Sequence, residues 1–350
     1  MKRKWIPSLL VLLALCIQGT ALCAENPNHR TIVNVDGTEI TVPVEVRKIG
    51  CLFGPSYEKV VLLDAEDKIV FDGDFHIYSW PWSNVVYRHV DTVPGIPNAH
   101  SEPNIEDLMN YEPDLVFNFP NPITTETMRA AGMSVVPHAS TGSYDDVARI
   151  LTVYAEAIGG GAPDLAKKYA DYFYSLTDLI AKRVESVPEA DRPTVYFANQ
   201  KILKCSNKTD MIRRCGGVPV AAEITAGSAI IGKEQLIHWN PDYIFVDHAG
   251  SSGNATAEEV IAEMLKDPDY ESMTAVAKNR IVIVPTGVFF WDSGVQQPLL
   301  MLLLAKTLHP DRFGDIRMRD TLKDFYTRFF RYDLTDEQAD TILAHRDPPR

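Results

Sequence analysis

Residues 74–89 carry an unusual density of aromatic and histidine side chains. Six of these side chains fall within fourteen residues: His76, Tyr78, Trp80, Trp82, Tyr87 and His89. Large flat rings bury ~150–250 Å² each and stack on planar or bulky organic molecules. At ~25 cal/mol per Å², two or three such contacts supply several kcal/mol of binding free energy. The pattern therefore indicates capture of an organic or metal-organic ligand.

A second aromatic group lies far along the chain, at Phe289, Phe290 and Trp291. The candidate ligand contacts drawn from both groups and from the predicted loop 54–57 are Tyr57, Trp80, Trp82, Tyr87, Phe290 and Trp291. The alternative is that some of these rings belong to the hydrophobic core. For Tyr78 and Tyr87 the two interpretations weigh equally, whereas for Trp80, Trp82 and Trp291 the cleft is favoured.

Four histidines stand near the ends of predicted strands: His76, His89, His138 and His248. None has the spacing of a metal-binding pair such as H-x₃-H or H-E-x-x-H, so the metal ligands stay unassigned. Apolar runs at 135–137 and 244–246 lead directly into His138 and His248. For any single histidine a surface or hydrogen-bonded role is the favoured alternative, and His138 and His248 are the strongest candidates among the four for contact with a ligand.

The sequence lacks the motifs of common hydrolases. There is no G-x-S-x-G nucleophile elbow, no zinc motif and no C-x-x-C pair. The glycines at 159–161 are not followed by the Lys-Ser/Thr of a phosphate-binding loop. We therefore predict a binding protein that is not an enzyme, with a secreted α/β hydrolase as the less favoured alternative.

The N-terminus has the features of a secretory signal peptide over residues 1–24. A basic start at 1–4 is followed by an apolar run that is too short to anchor in a membrane, and then by small residues. Soluble export to the periplasm is the prediction. Lipid attachment at Cys23 is the alternative, disfavoured because Leu22 stands where a small residue is expected.

Charge and cysteine content restrict the partners further. The loss of three basic residues with the signal peptide would take the formal charge from −13 to −16, which repels phosphate backbones and argues against nucleic-acid binding. In an oxidising compartment, Cys205 and Cys215 could close a small disulfide loop worth about 3 kcal/mol. Cys51 has an apolar context typical of a core thiol.

One short pattern occurs twice, 128 residues apart, at 106–117 and 234–245. Each copy opens with Glu, continues with Leu and an aromatic residue three positions later, and then has Pro-Asp and an apolar run. Proline ends the helix, and the apolar run predicts a buried parallel strand. Two such helix-to-strand units predict two similar α/β lobes.

The remaining elements fit around these two units. A hairpin is predicted at 31–46 around Asp36-Gly37. Strands are predicted at 48–53, 68–71, 114–119, 133–137, 194–198, 243–247 and 281–284, and helices in the second lobe at 208–215, 233–239 and 257–265. Apolar residues recur at helical spacing over 163–187, which predicts one rod of roughly 37 Å.

The predicted fold class is α/β, with two lobes of mainly parallel sheet joined by a single long helix and a ligand cleft between them. The domain bounds are a lobe at 30–158, a linking helix at 162–188, a lobe at 189–308 and a helical tail at 309–350 packed on the lobes. A single helix allows little bending, so we expect the cleft to be largely preformed.

The chain resembles the helical-backbone (class III) substrate-binding proteins of ABC importers for iron complexes and cobalamin. The resemblance covers about 31–335 and depends on the order and spacing of several segments: 36–43, 104–108 with 113–116, 215–217, 232–236 with 240–242, and 290–294. It implies capture of a metal complex as cargo, with no intrinsic cofactor, and delivery to an ABC permease dimer by a protein acting as a monomer.

In that family an acidic residue of each lobe docks onto arginines of the permease. Glu106 and Glu234 match these two positions. The alternative for each is a favourable interaction with the helix dipole, worth a few tenths of a kcal/mol. Because both lobes carry a glutamate at the matching position, docking is favoured over the helix-dipole interpretation.

Ligands of open α/β sheets bind beyond the carboxyl ends of the strands. The loops so selected are 54–57, 74–89, 119–124, 138–142, 198–206 and 247–253, and the resemblance adds 286–294. Their basic residues are few, Arg88, Lys201 and Lys204. This favours an aromatic, weakly charged complex of the iron-siderophore, haem or corrinoid class. A nickel or cobalt chelate, or a ligand sensor without transport, are the alternatives.

Overall fold

The computed structural model describes residues 27–73, 80–247 and 255–349. The predicted signal peptide, the segment 74–79 and His248 lie outside the described residues. The described chain opens with the predicted hairpin, formed by antiparallel strands β1 (His29–Val33) and β2 (Glu39–Pro43). At its turn Asp36 accepts the backbone N–H of Thr38 at 3.0 Å, and Gly37 adopts a φ of +85° that favours glycine.

The first lobe contains a five-stranded parallel sheet. Its strands are β3 (Ile49–Cys51), β4 (Ile69–Gly73), β5 (Gly95–Ile96), β6 (Leu115–Asn118) and β7 (Val135–Pro137), in the lateral order β5-β4-β3-β6-β7. Its helices are α1 (Gly54–Leu62), α2 (Ser83–Val86), α3 (Ile105–Asn110), α4 (Pro122–Ala130) and α5 (Asp146–Ile158). A short 3₁₀ helix spans Glu66–Lys68.

The second lobe has a six-stranded mixed sheet. Its strands are β8 (Thr194–Asn199), β9 (Lys201–Ser206), β10 (Val218–Pro219), β11 (Ser228–Ile230), β12 (Tyr243–Asp247) and β13 (Ile281–Ile283). The order is β11-β9-β8-β12-β13, with β10 paired to β8. Strands β8, β10, β12 and β13 are parallel, whereas β9 pairs antiparallel with β8 and β11 pairs antiparallel with β9. The helices are α7 (Thr209–Arg214), α8 (Lys233–Trp239), α9 (Ala257–Lys266) and α10 (Thr274–Ala277), with a 3₁₀ turn at Pro268–Tyr270.

A single helix of 23 residues, α6 (Ala162–Val184), connects the lobes. It buries one stripe at helical spacing: Ala162, Ala166, Tyr169, Phe173, Thr177, Ile180 and Val184. It ends four residues before the predicted bound of 188, because Pro188 disfavours the α conformation at the residue before it. A 3₁₀ helix at Glu189–Asp191 then leads into β8.

The C-terminal region forms a helical layer on the lobes. It contains α11 (Gln297–Leu308), a 3₁₀ turn at Pro310–Arg312, α12 (Met318–Phe325), a π-helical turn at Tyr326–Phe330 and α13 (Asp336–Leu343). The last helix begins with a capping box between Thr335 and Gln338.

Three hydrophobic clusters organise the core. The central cluster combines α5, α6, α11 and the tail with one face of each sheet, for example Phe117 of β6 and Phe197 of β8. The first outer cluster holds Val116 on the other face of the first sheet, and the second outer cluster holds Tyr196 on the other face of the second. One core therefore runs through both lobes along the linking helix.

The duplicated pattern forms equivalent units in the two lobes. Helix α3 leads into β6 beside the first strand β3, and α8 leads into β12 beside β8. Leu108 and Leu236 are both fully buried on the helices. Glu112 and Asn240, just before the two prolines, both adopt left-handed φ values, of +50° and +42°. The predicted α/β fold with two lobes and a long helix is confirmed.

The predicted Cys205–Cys215 disulfide is not formed in the structure. Both residues are free, buried thiols. Cys205 belongs to the second outer cluster, whereas Cys215 packs in the central cluster after α7. Because these clusters lie on opposite faces of the second sheet, closeness in sequence does not bring the two sulfurs together.

Candidate functional site

A cavity of about 600 Å³ lies between the two lobes. The first lobe supplies Lys59 of α1, the loop after β7 and the start of α5. The second lobe supplies the start of α7, the segment between β10 and β11, and the residues before α11. The polar side chains in its wall are Lys59, His138, Ser140, Ser143, Asp146, Asn207, Lys208, Thr209, Asp210, Thr225, Asp292, Ser293 and Gln297.

Lys59 is a buried cation in this wall. Its side chain is 1% exposed, and the Nζ donates to the carbonyl of Pro55 at 3.2 Å. Burial lowers its pKa, and the neighbouring Glu58 opposes that shift in part. Lys59 is buried because α1 is covered on nearly all sides, with every residue from Pro55 to Leu62 buried.

Glu58, one position earlier, points to the other lobe. Its carboxylate accepts the N–H of Val295 at 2.8 Å and the side-chain amide of Gln296 at 3.3 Å. Burial raises the pKa of Glu58, which favours its neutral form. A Cβ at Gly294 would stand 2.4 Å from this carboxylate, so glycine permits the close approach. Glu58 therefore joins α1 to the segment that precedes α11.

His138 follows β7 directly and lines the cavity. Its ring lies 4.6 Å from the ring of Phe53, centroid to centroid. Burial and, to a smaller extent, the charge of Lys59 lower the pKa of His138 to about 3, so the imidazole is neutral near pH 7. Within the described chain its Nδ1 is buried without a hydrogen-bond partner. A neutral imidazole in this position can donate to or accept from a ligand.

Lys208 and Asp292 form an ion pair of 2.7 Å in the wall supplied by the second lobe. The two side chains are 18% and 4% exposed. Burial disfavours the charged form of Lys208, but Asp292 outweighs that effect and raises its pKa. The negative charge of Asp292 is thus already neutralised within the wall.

The carboxylate of Asp146 shapes the loop before α5. It accepts hydrogen bonds from the Ser140 hydroxyl at 2.8 Å, from the Thr141 N–H and hydroxyl at 2.7 Å each, and from the Gly142 N–H at 2.9 Å. Burial raises its pKa, but these hydrogen bonds outweigh burial and lower it. Asp146 serves as the anchor of a turn and offers little free negative charge to the cavity.

Most of the predicted aromatic ligand contacts lie in the core. Tyr57 is fully buried in α1, which replaces the predicted loop at 54–57. The indole N–H of Trp82 donates to the carbonyl of Arg346 at 2.8 Å. Tyr87 packs between Tyr57 and Phe330. None of these three rings lines the cavity, because the C-terminal layer covers them.

Trp80 and the second aromatic group pack together near the cavity. The Trp80 ring lies 5.3 Å from Phe289 and 4.3 Å from Phe290. Trp291 is fully buried, beside the wall residue Asp292. This contact ties the first lobe to the segment before α11.

A different aromatic patch was predicted only in part by the sequence analysis, which selected His138 and the loop that begins at Phe119 but neither Phe53 nor His100. Phe53, His100, Phe119 and His138 follow strands β3, β5, β6 and β7, with Phe119 and His100 stacked at 4.5 Å and Phe53 and Phe119 at 5.4 Å. The rule that ligands bind beyond the strand ends selected 119–124 and 138–142 but started one residue too late after β3.

The cations of the cavity were missed as well. The predicted Lys201 and Lys204 do not line it: Lys201 is exposed, and Lys204 donates to Gln200 at 2.9 Å. Lys59 and Lys208 line it instead. The signal that could have found Lys59 is a Glu-Lys pair inside an otherwise apolar stretch, Val60 to Leu63 following directly.

The two candidate docking glutamates are exposed on equivalent first turns. Glu106 lies on α3 and Glu234 on α8. Each helix runs antiparallel to the strand that follows it, so its N-terminus lies at the carboxyl edge of the sheet. By this rule we expect both glutamates at the carboxyl edge of the sheet of their own lobe.

Among the described residues, no helix combines the length and apolar character needed to cross a membrane. The same part of the chain contains no group of three or more His, Cys, Asp or Glu side chains arranged to hold a metal ion.

Comparisons with known proteins agree with this architecture. A family model described as "Periplasmic binding protein" matches residues 49–286. The molybdate-binding protein MolA of Haemophilus influenzae is 22% identical over 89% of this chain and 93% of its own length. The crystal structure of MolA bound to molybdate has a TM-score of 0.75 over 87% of this chain and 99% of that one, at 19% identity.

Two further solved structures are similar. A periplasmic solute binding protein of Veillonella parvula has a TM-score of 0.74 and 22% identity, covering 91% of this chain and 97% of that one. Helicobacter pylori CeuE with Ni(II) bound has a TM-score of 0.73 and 21% identity, covering 90% and 99%. At these identities the likeness shows the fold.

Proposed function

The chain belongs to the family of periplasmic binding proteins, and from this we infer that it captures a metal-containing solute outside the cytoplasmic membrane and delivers it to an ABC permease. It is a solute-binding protein rather than an enzyme. The observation that carries the proposal is the cavity of about 600 Å³ that both lobes line. This volume is in the range of small-molecule sites.

The wall chemistry favours a compact, polar metal complex over a haem or a corrinoid. Large planar ligands are held mainly by apolar and aromatic walls. Here most of the lining residues carry hydroxyl, amide or charged groups, beside a smaller apolar set of Tyr144, Val147, Ile150 and Met211. The predicted rings Tyr57, Trp82 and Tyr87 are buried in the core and do not line the cavity. The ring of His138, which packs against Phe53, provides one aromatic contact in the cavity wall. The ligands bound in two similar structures, molybdate and Ni(II), are compatible with this class.

Delivery would use Glu106 and Glu234. Both are exposed first-turn acids in duplicated units, and the topology of α/β sheets puts such first turns at the carboxyl edge of the strands. We propose that each meets a basic group of the permease dimer, one lobe to one subunit. Exposed charges of this kind set the encounter rate and register more than the affinity.

The test compares uptake with cargo retention. Cells that carry the Glu106→Ala/Glu234→Ala variant should lose uptake of the transported metal, while the purified variant retains the same stoichiometric metal content as wild type in elemental mass spectrometry. A matched control is Glu258→Ala, which removes another exposed first-turn acid from α9 of the second lobe. Unchanged uptake would overturn the docking assignment, and absence of any stoichiometric metal would overturn the capture function.

A further inference from the structure

We propose that the inter-lobe cavity is built for an anionic ligand, a metal complex that presents negatively charged oxygen atoms to the ammonium group of Lys59. This inference deepens the proposed function and rests on it. The ligand chemistry has two possible sources: a bare metal oxyanion, or a metal chelate with free carboxylate groups.

The first argument is the state of Lys59 itself. An ammonium group that is 1% exposed has lost its hydration, which costs stability unless charges or hydrogen bonds replace the water. Within the described residues Lys59 has a single hydrogen bond, to the Pro55 carbonyl at 3.2 Å, and no carboxylate within ion-pair distance. Two of its three protons are therefore available to a ligand in the cavity that it lines.

The second argument is that the carboxylates of the wall are already engaged. Asp292 is paired with Lys208 at 2.7 Å, and Asp146 accepts a set of hydrogen bonds from its own loop. Asp210 accepts the backbone N–H of Tyr144 at 3.0 Å. Glu58 is directed to the N–H of Val295 and the amide of Gln296, and burial favours its neutral form. Among the described residues, Lys59 is thus the cation of the wall without a carboxylate at ion-pair distance, and the charge of Glu58 compensates it only in part, from farther away.

The third argument is the distribution of donors. The neutral imidazole of His138 lines the first-lobe side. Hydroxyl groups of Thr209, Thr225 and Ser293 line the side of the second lobe. Oxygen atoms of an anion seated against Lys59 would find hydrogen-bond donors on both lobes. Charge-assisted hydrogen bonds of this kind are about twice as strong as neutral ones.

A matched panel of ligands tests the inference by isothermal titration calorimetry on the mature protein. Molybdate and tungstate have the same tetrahedral shape as perrhenate but one more negative charge. Ferric citrate represents a carboxylate-bearing chelate, and ferrioxamine a chelate without free carboxylates. We expect stoichiometric binding of the dianions or of ferric citrate, and weaker binding of perrhenate and ferrioxamine.

The variant Lys59→Met removes the charge and keeps the volume. It should weaken binding of the preferred anion about tenfold or more, while Lys201→Met, an exposed lysine outside the cavity wall, leaves it unchanged. Methionine suits a buried position, so the variant should fold. The comparison of molybdate and tungstate with perrhenate on the wild-type protein tests the charge preference without any variant. Tighter binding of ferrioxamine, insensitive to Lys59→Met, would overturn the anionic ligand and leave metal capture intact. Failure of every metal species to bind would count against both.

Discussion

Lys59 and His138 both line the inter-lobe cavity, and burial lowers the pKa of each. A buried imidazole resists protonation because its cationic form loses hydration, and the nearby ammonium group adds repulsion. The neutral state of His138 is therefore maintained by the fold. In the unfolded chain His138 is exposed to water and has no neighbouring ammonium group, so its pKa differs between the two states. This difference makes the stability of the protein depend on pH.

His138 should make the protein sensitive to mild acid. The unfolded chain protonates this histidine near pH 6.5, whereas the folded protein delays protonation until about pH 3. Between those values unfolding takes up a proton, so stability is fully present above about pH 6.5 and declines as the pH falls toward 3. The variant His138→Asn should reduce the loss in unfolding free energy between pH 7 and pH 5 by about 2 kcal/mol. Urea denaturation at the two pH values measures this, and an equal loss in both proteins would contradict it.

The aspartate of the Pro-Asp pair has the same structural role in both repeated units. In the first lobe Asp114 accepts the backbone N–H groups of Arg47 and Lys48, at 2.7 and 2.9 Å, just before β3. In the second lobe Asp242 accepts the N–H and the hydroxyl of Thr194, both at 2.9 Å, at the start of β8. Each aspartate thus pins the first strand of its lobe beside the strand that it precedes.

Removal of either aspartate should therefore cost similar stability. Asp114→Ala and Asp242→Ala each leave two donors at a strand start without their acceptor, which costs about 1–3 kcal/mol. Chemical denaturation of the two variants measures the loss. Glu126→Ala, which removes only an exposed partner of Arg129, is the control and should change stability by about 0–1 kcal/mol. A cost confined to one lobe would show that the two aspartates are not equivalent.

The elements predicted correctly are those with local signals. The prolines that end the preceding helices and the apolar runs that follow them located β6 and β12, and apolar residues at helical spacing located α6. Strands β9 and β11, which pair in antiparallel fashion, were missed because their exposed and partly exposed residues, such as the exposed Ile230, lack a buried-strand pattern.

Candidate site residues were harder to predict, because burial depends on distant segments. The partner of Trp82 is the carbonyl of Arg346, 264 residues later in the chain. Nothing near Trp82 in sequence distinguishes that core position from a cleft position. Lys59 was missed for the same reason, since α1 becomes buried only when the second lobe and the tail cover it. His138, directly after an apolar strand, was placed in the wall by a local rule.

At the scale of the whole molecule, the central cluster is shared by the two lobes. Helix α6 contributes Tyr169, whose hydroxyl donates to the Val295 carbonyl at 2.7 Å, and Glu58 of the first lobe accepts the N–H of the same residue. The linking helix and the first lobe therefore meet at one point in front of α11. Relative motion of the lobes would break these buried hydrogen bonds, which supports a cavity that is largely formed before a ligand arrives.

A shared core also predicts that the lobes unfold together, and the repeat supplies a matched pair of probes. Leu108 and Leu236 occupy equivalent positions in the two units, are fully buried, and belong to different outer clusters. Leu108→Ala and Leu236→Ala should each cost about 2–5 kcal/mol. Because the outer clusters pack on sheets whose inner faces join the central cluster, each variant should shift the unfolding of both lobes equally. Hydrogen exchange at β6 and β12 along a denaturant series measures the two lobes separately. If Leu108→Ala exposed β6 while β12 stayed protected, the lobes would be independent units, and the linking helix would be a hinge instead of a common core.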